Sequence, residues 1–172
     1  LAGEGPAAFY SADYFADYPP GYILVLGLVS LVRKALQLSY ESRWTYFLLA
    51  LIPAICDCAA VVLLDHISRR YMGQGRAQRC LVLFAAFCPL TLFDTGIWKQ
   101  IDGAFALPLL LCFWLLEERR YLLAAVLYGV ALAIKPQALL AGPVLAVCFL
   151  VAIADAVRDG KSPLKSVGQI FG

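Results

Sequence analysis

Charge is scarce in this chain, and the scarcity decides the solvent. Only 15% of the 172 residues are Asp, Glu, Lys or Arg, against 62% hydrophobic, and mean hydropathy is +0.78. No water-soluble domain of this length buries so much apolar surface, so the composition implies an integral membrane protein. Histidine is almost missing, with His66 the sole example. A Cys56-x-Cys58 pair with one histidine nearby is too sparse for a metal centre, and neither metal nor cofactor is expected. The other cysteines (Cys80, Cys88, Cys112, Cys148) also lie within or beside apolar runs, where they act as small hydrophobes rather than disulfide partners. Long runs of one charge sign are lacking as well. The net charge is +2, with basic residues in short clusters between apolar runs, a pattern that orients a membrane protein and excludes nucleic acid as a partner. An initiator Met and a signal peptide are both missing from the start, so the chain is expected to be a fragment lacking further membrane helices.

What is present is a series of apolar runs separated by short polar turns. Residues 1–18 hold Glu4, Asp13 and Asp17 but no Lys or Arg, as expected of a loop on the non-cytoplasmic side. Asp17-Tyr18-Pro19-Pro20-Gly21-Tyr22 follows as an acidic turn that paired prolines stiffen and bar from a helix interior. Residues 22–32 are apolar but short of the roughly 20 needed to span hydrocarbon, so an interfacial helix with Arg33 and Lys34 toward headgroups is expected. Five better spans come next: 44–67 with a kink at Pro53, 80–98 with a kink near Pro89, 101–116, 121–134 and 138–154. The expected fold is therefore all-α, a polytopic helix bundle of about five membrane helices plus one juxtamembrane helix. It divides into an external loop and juxtamembrane helix (1–43), the bundle (44–157) and a basic cytoplasmic tail (158–172).

Counting basic residues fixes the expected topology. If the 22–32 helix lies in the interface and the five others cross, Arg69, Arg70, Arg76, Arg79, Arg119, Arg120, Arg158, Lys161 and Lys165 fall inside, nine of the fourteen Lys and Arg. If it crosses too, the count inverts. The interfacial reading puts Asp17, the Trp98-Lys99-Gln100-Ile101-Asp102 turn and the Lys135-Pro136-Gln137 turn on one external face.

Each polar residue there has a plain reading and a chemical one. Asp17 either caps its own turn or serves as a general base. Trp98 is an interface anchor. Asp102 either N-caps the helix that follows or, with Gln100, helps form a site at that helix start. Lys135 either snorkels to the interface or neutralises a phosphate leaving group, with Gln137 adding a hydrogen bond. Asp57 stands in mid-helix, where a carboxylate is expensive unless paired or wetted, and marks a functional or helix-bridging position. Asp65 is expected to pair with Arg69 one turn on, and His66 to be structural.

Phe15-Ala16-Asp17-Tyr18-Pro19-Pro20-Gly21-Tyr22, Ile52-Pro53-Ala54-Ile55-Cys56-Asp57, Trp98-Lys99-Gln100-Ile101-Asp102 and Ala133-Ile134-Lys135-Pro136-Gln137 follow one another in this order. In that order and spacing the chain resembles the multi-pass C-type glycosyltransferases, in particular bacterial mannosyltransferase-like members. The resemblance implies a bacterial plasma-membrane enzyme with its active site facing outward. It would pass a hexose, mannose-like, from a polyprenyl-phosphate carrier to a hydroxyl of a glycan, lipid or protein acceptor, by inversion, and a leaving group supplied by the carrier does not demand a metal. Asp17 matches the position of the general base, with Tyr18, Lys99, Gln100, Asp102, Lys135 and Gln137 binding substrate. Lys99 replaces the Gly of the usual Trp-Gly-Gln-x-Asp. The rival reading is a non-catalytic transporter or polysaccharide-assembly subunit using Asp57 and Lys135 as pathway charges.

Overall fold

A computed structural model of the chain describes residues 19–158. Asp17 and Tyr18 lie outside these described residues, as does the tail from 159 on. Among the described residues the structure is helical throughout, with no strand. Helix α1 (Pro20–Ala35) is followed by α2 (Arg43–Met72), α3 (Arg76–Ala86), α4 (Pro89–Phe93) and a π-helical turn (Asp94–Trp98). Then come α5 (Asp102–Glu117), α6 (Tyr121–Ile134), a 3₁₀ turn (Pro136–Ala141) and α7 (Gly142–Arg158).

Local chemistry sets the breaks. Ser42 begins α2 by accepting a hydrogen bond from the Trp44 N–H at 3.3 Å, and Gly73 at φ 67° ends it. Pro53 sits buried inside α2, which continues through it. The expected kink near Pro89 is a break: α3 stops at Ala86 and Cys88 turns extended, as the residue before a proline prefers. Arg119, at φ 58°, reverses the chain after α5, and its N–H and that of Arg120 return to the Leu116 and Leu115 carbonyls.

Among the described residues, three helical stretches are long and apolar enough to cross a membrane: Arg43–Met72, Arg76–Trp98 and Pro136–Asp155. Tyr121–Ile134 is apolar but shorter. The outward surface matches that solvent, with Leu90 80% and Leu140 83% exposed. The core lies between α5, α6 and α7, where Cys112, Leu115, Leu116, Ala124 and Leu145 are buried against Trp114, Tyr128 and Phe149. Ala124 and Ala131, a heptad apart on α6, have no exposed surface, so small side chains let neighbouring backbones approach closely.

Polar contacts define one end of the bundle. Arg70 pairs with Glu118, Arg69 with Asp65 at 2.7 Å as expected, and Gln78 donates to Asp65 at 2.6 Å. His66 is edge-on to Trp114, a packing role. Since α2 and α5 meet at their C-terminal ends, they run parallel. From Asp57 to Arg70 α2 rises about 20 Å, and from Asp102 to Glu117 α5 rises about 23 Å. The start of α5 therefore lies level with the middle of α2.

That junction is tight. A Cβ on Gly103 would overlap the Asp57 carboxylate and stand 2.7 Å from the Pro53 carbonyl oxygen. Gly103→Ala should destabilise the protein by about 1–3 kcal/mol, the usual cost of overpacking. A thermal melt of the detergent-solubilised protein checks this; an unchanged midpoint would mean that α2 and α5 do not approach so closely.

Candidate active site

The contacts around Asp57 draw three separated parts of the chain to one place. Asp57 comes from the middle of α2, Thr95 from the π-helical turn and Gly103 from the first turn of α5. The Thr95 hydroxyl, buried, donates to an Asp57 carboxylate oxygen at 2.5 Å. That bond gives the intramembrane carboxylate the partner its position demands, and it ties the π-turn to α2. Asp94 adds a third carboxylate, within electrostatic range of Asp57, Asp102 and Lys135.

Asp102 occupies the first helical position of α5, and Ile101 is the residue before it. Its carboxylate forms an ion pair with the Lys135 ammonium rather than capping the helix. The Lys135 side chain is 23% exposed and that of Asp102 47%, so one partner is mostly enclosed by the bundle and the other about half enclosed. The pair joins the two polar turns across 33 residues of sequence. Lys135 itself closes α6, its N–H bonded to the Ala131 carbonyl at 2.9 Å, with the 3₁₀ turn starting at Pro136.

The start of α1 reaches the same corner. A Cβ on Gly21 would stand 2.6 Å from the Ala133 carbonyl oxygen, two residues before Lys135. Only glycine allows the backbones to come this close. The described end of the Pro19-Pro20-Gly21 turn is thereby set beside the Lys135 turn.

The remaining candidates lie around the rim. Lys99 takes φ 56°, in the left-handed region that glycine favours. Its N–H and that of Gln100 both return to the Asp94 carbonyl. The backbone of this turn thus has the form a Trp-Gly-Gln sequence would adopt without strain, and Lys99 accepts that strain. Its ammonium donates to the Ile97 carbonyl at 3.3 Å and sits 5.4 Å from the Tyr46 ring centre. Gln100 and Gln137 are exposed on their respective turns. Asp57, Asp102 and Lys135 are therefore gathered, Lys99, Gln100 and Gln137 border them, and Asp17 and Tyr18 fall outside the described residues. Sequence reading passed over Asp94 and Thr95, and gave Gly103, at the end of the Trp98 stretch, no role. A second intramembrane acid, Asp94, close ahead of the Trp98–Asp102 turn was the signal available for the first.

A half-buried ion pair flanked by two further carboxylates, recessed among apolar helices, can orient hydroxyl groups and hold a developing charge. Among the described residues no cluster of three His, Cys, Asp or Glu side chains is arranged to hold a metal.

The family profile of glycosyltransferase family 87 matches residues 15–157. The match covers most of the chain, including every described element of the site, and the chain belongs to that family. It is a membrane protein of a glycosyltransferase family, with a sugar donor and an acceptor as partners. No curated protein and no solved structure gives a significant match.

Proposed function

We propose that this glycosyltransferase moves a mannose-like hexose from a polyprenyl-phosphate carrier to an acceptor hydroxyl, at the external face of a bacterial plasma membrane. The observation that carries the reading is the Asp102–Lys135 pair, which joins two of the motif turns, with Gly21 packed against Ala133 beside them. Asp17 lies four residues before Gly21, so about 14 Å of extended chain at most separates it from that corner.

In the reaction, the acceptor oxygen attacks the anomeric carbon while the bond from that carbon to the phosphate oxygen breaks. The acceptor proton passes to the Asp17 carboxylate, and polyprenyl phosphate leaves as an anion, with inversion at carbon. An ammonium has three donors, so Lys135 can keep its bond to Asp102 and still face the leaving phosphate. Asp57 and Thr95 hold the π-turn, and Gln100 and Gln137 bond sugar hydroxyls from the rim. Depth supports a lipid-borne donor. Asp57 stands about 20 Å along α2 from Arg70, which lies inside a hydrocarbon layer about 30 Å thick entered from the Arg-rich end.

The test is transfer by the full-length enzyme in proteoliposomes. Mannose is expected to move from polyprenyl-phosphate mannose and not from a nucleotide-activated mannose. Cysteines placed at positions 17, 99 and 135 should all label from the outer side. Use of the nucleotide sugar alone, or labelling from opposite sides, overturns the reading.

A further inference from the structure

The Arg-rich end of the bundle holds more positive charge than its acids pair. Arg69 is matched by Asp65, and Arg70 by Glu117 and Glu118. Arg79, in the first turn of α3, has no acidic partner among the described residues. It lines a pocket of about 450 Å³ between the last turns of α2 and the first turns of α3, with Arg69 on the other side.

The acid in this pocket is satisfied on both oxygens. One Asp65 oxygen takes the Arg69 guanidinium at 2.7 Å, and the other accepts from the buried Gln78 amide at 2.6 Å. The same amide donates to the Ser68 hydroxyl at 3.2 Å, so the pocket's polar floor ties α3 to α2. With Asp65 and Arg69 cancelling, the pocket carries the charge of Arg79 and is positive. A guanidinium has five N–H donors, and the half-exposed Arg69 uses only part of its set on Asp65. Below the charge the lining turns apolar. Arg79, Leu83 and Phe87 recur four residues apart and so form one stripe along α3, and all three are exposed. Val82 and Leu83 complete the pocket wall, and the stripe continues along the membrane-length stretch Arg76–Trp98.

We propose that this pocket holds the phosphate of an anionic membrane phospholipid, bridged between Arg79 on α3 and Arg69 on α2, with an acyl chain lying along Leu83 and Phe87. Basic pockets between membrane helices recognise such headgroups. A small soluble phosphate would use the two arginines and leave the apolar stripe uncovered. A zwitterionic lipid would bring a second cation toward Arg79. Asp65 stands about 12 Å along α2 from Asp57, on the side away from the Lys135 corner, so this lipid is neither donor nor acceptor and the inference does not depend on the reaction proposed above. Its role is that of a clamp. It joins α3 to α2 at the root of the segment that carries Asp94 and Thr95 to the candidate site.

Native mass spectrometry tests this on the full-length protein, released from nanodiscs of equal phosphatidylglycerol and phosphatidylcholine. Phosphatidylglycerol is expected to stay bound, several-fold in preference to phosphatidylcholine. Arg79→Gln removes the unpaired cation and should lower that retention several-fold. Gln74→Trp fills the pocket from its loop side and should do the same, which guards against a folding defect in either variant. Arg120→Gln is the control, an exposed arginine of the same end that does not line the pocket, and should leave retention unchanged. Equal loss in Arg120→Gln would mean diffuse surface charge and overturns the proposal. Equal retention of the two lipids, which needs only their chains, overturns it too. So do undiminished retention in both pocket variants and the absence of any retained lipid. Displacement of the lipid by millimolar glycerol phosphate would make a soluble phosphate the ligand, and the lipid assignment would fall.

Discussion

Replacing Asp17 by Asn should lower hexose transfer by about 10²–10⁴-fold, the usual contribution of a positioned general base, with the helix bundle still folded. Asparagine has nearly the same size and can accept a hydrogen bond from the acceptor hydroxyl, but it cannot take the proton. The loss should therefore fall on kcat, with KM for either substrate changed little. Asp17→Glu keeps the base but moves it by one methylene, and should retain a measurable part of the rate. A thermal melt provides the control, since the substitution leaves the residues of the packed corner formed by Gly21 and Ala133 unchanged. An Asp17→Asn enzyme with undiminished kcat would show that the base lies elsewhere. Asp94 would then be the next carboxylate to replace, since it lies within electrostatic range of Asp102 and Lys135.

The bundle was readable because hydropathy is a local property. The runs 121–134 and 101–116 match α6 and α5 to within a residue at each end. Other boundaries moved for physical reasons. Helix α2 runs to Met72, beyond the apolar limit at 67, because a helix does not stop where hydrocarbon does. Its last turn is held by Arg69 and Arg70 pairing with Asp65, Glu117 and Glu118. The first turn of α3 starts at Arg76, ahead of the apolar run, for the same reason.

The site was legible only in part. Asp57, Asp102 and Lys135 stood out because a charge in or beside an apolar run is costly and asks for a partner. Which partners they take depends on how helices cross, and no spacing in the sequence encodes that. Lys135 choosing Asp102 follows from how α6 packs along α5, and Asp57 choosing Thr95 from the level at which the π-turn meets α2. The π-turn itself carries no sequence signature, since it differs from an ordinary helical turn by one residue in its bonding. Lys99 is a case where sequence and structure explain each other. The position asks for glycine, and the chain has a lysine there at positive φ.

The second large effect is expected at Lys135. Lys135→Met should reduce kcat by about 10²–10³-fold, comparable to removing one donor that stabilises a developing oxyanion. The change also leaves the Asp102 carboxylate without its partner. In a sealed interior that alone would be strongly destabilising, but Asp102 is 47% exposed, and water screens much of the cost. Stability should therefore fall far less than activity. A double replacement separates the two roles that Lys135 has. If its function is only to neutralise Asp102, then Asp102→Asn together with Lys135→Met removes both charges and restores transfer. If the ammonium stabilises the departing phosphate, the double variant stays as slow as Lys135→Met alone, and Lys135→Arg regains part of the rate by returning the positive charge. We expect the second pattern, read as kcat with saturating polyprenyl-phosphate sugar. Recovery of transfer in the double variant would assign Lys135 to the architecture of the corner and leave the leaving group to be stabilised by another cation.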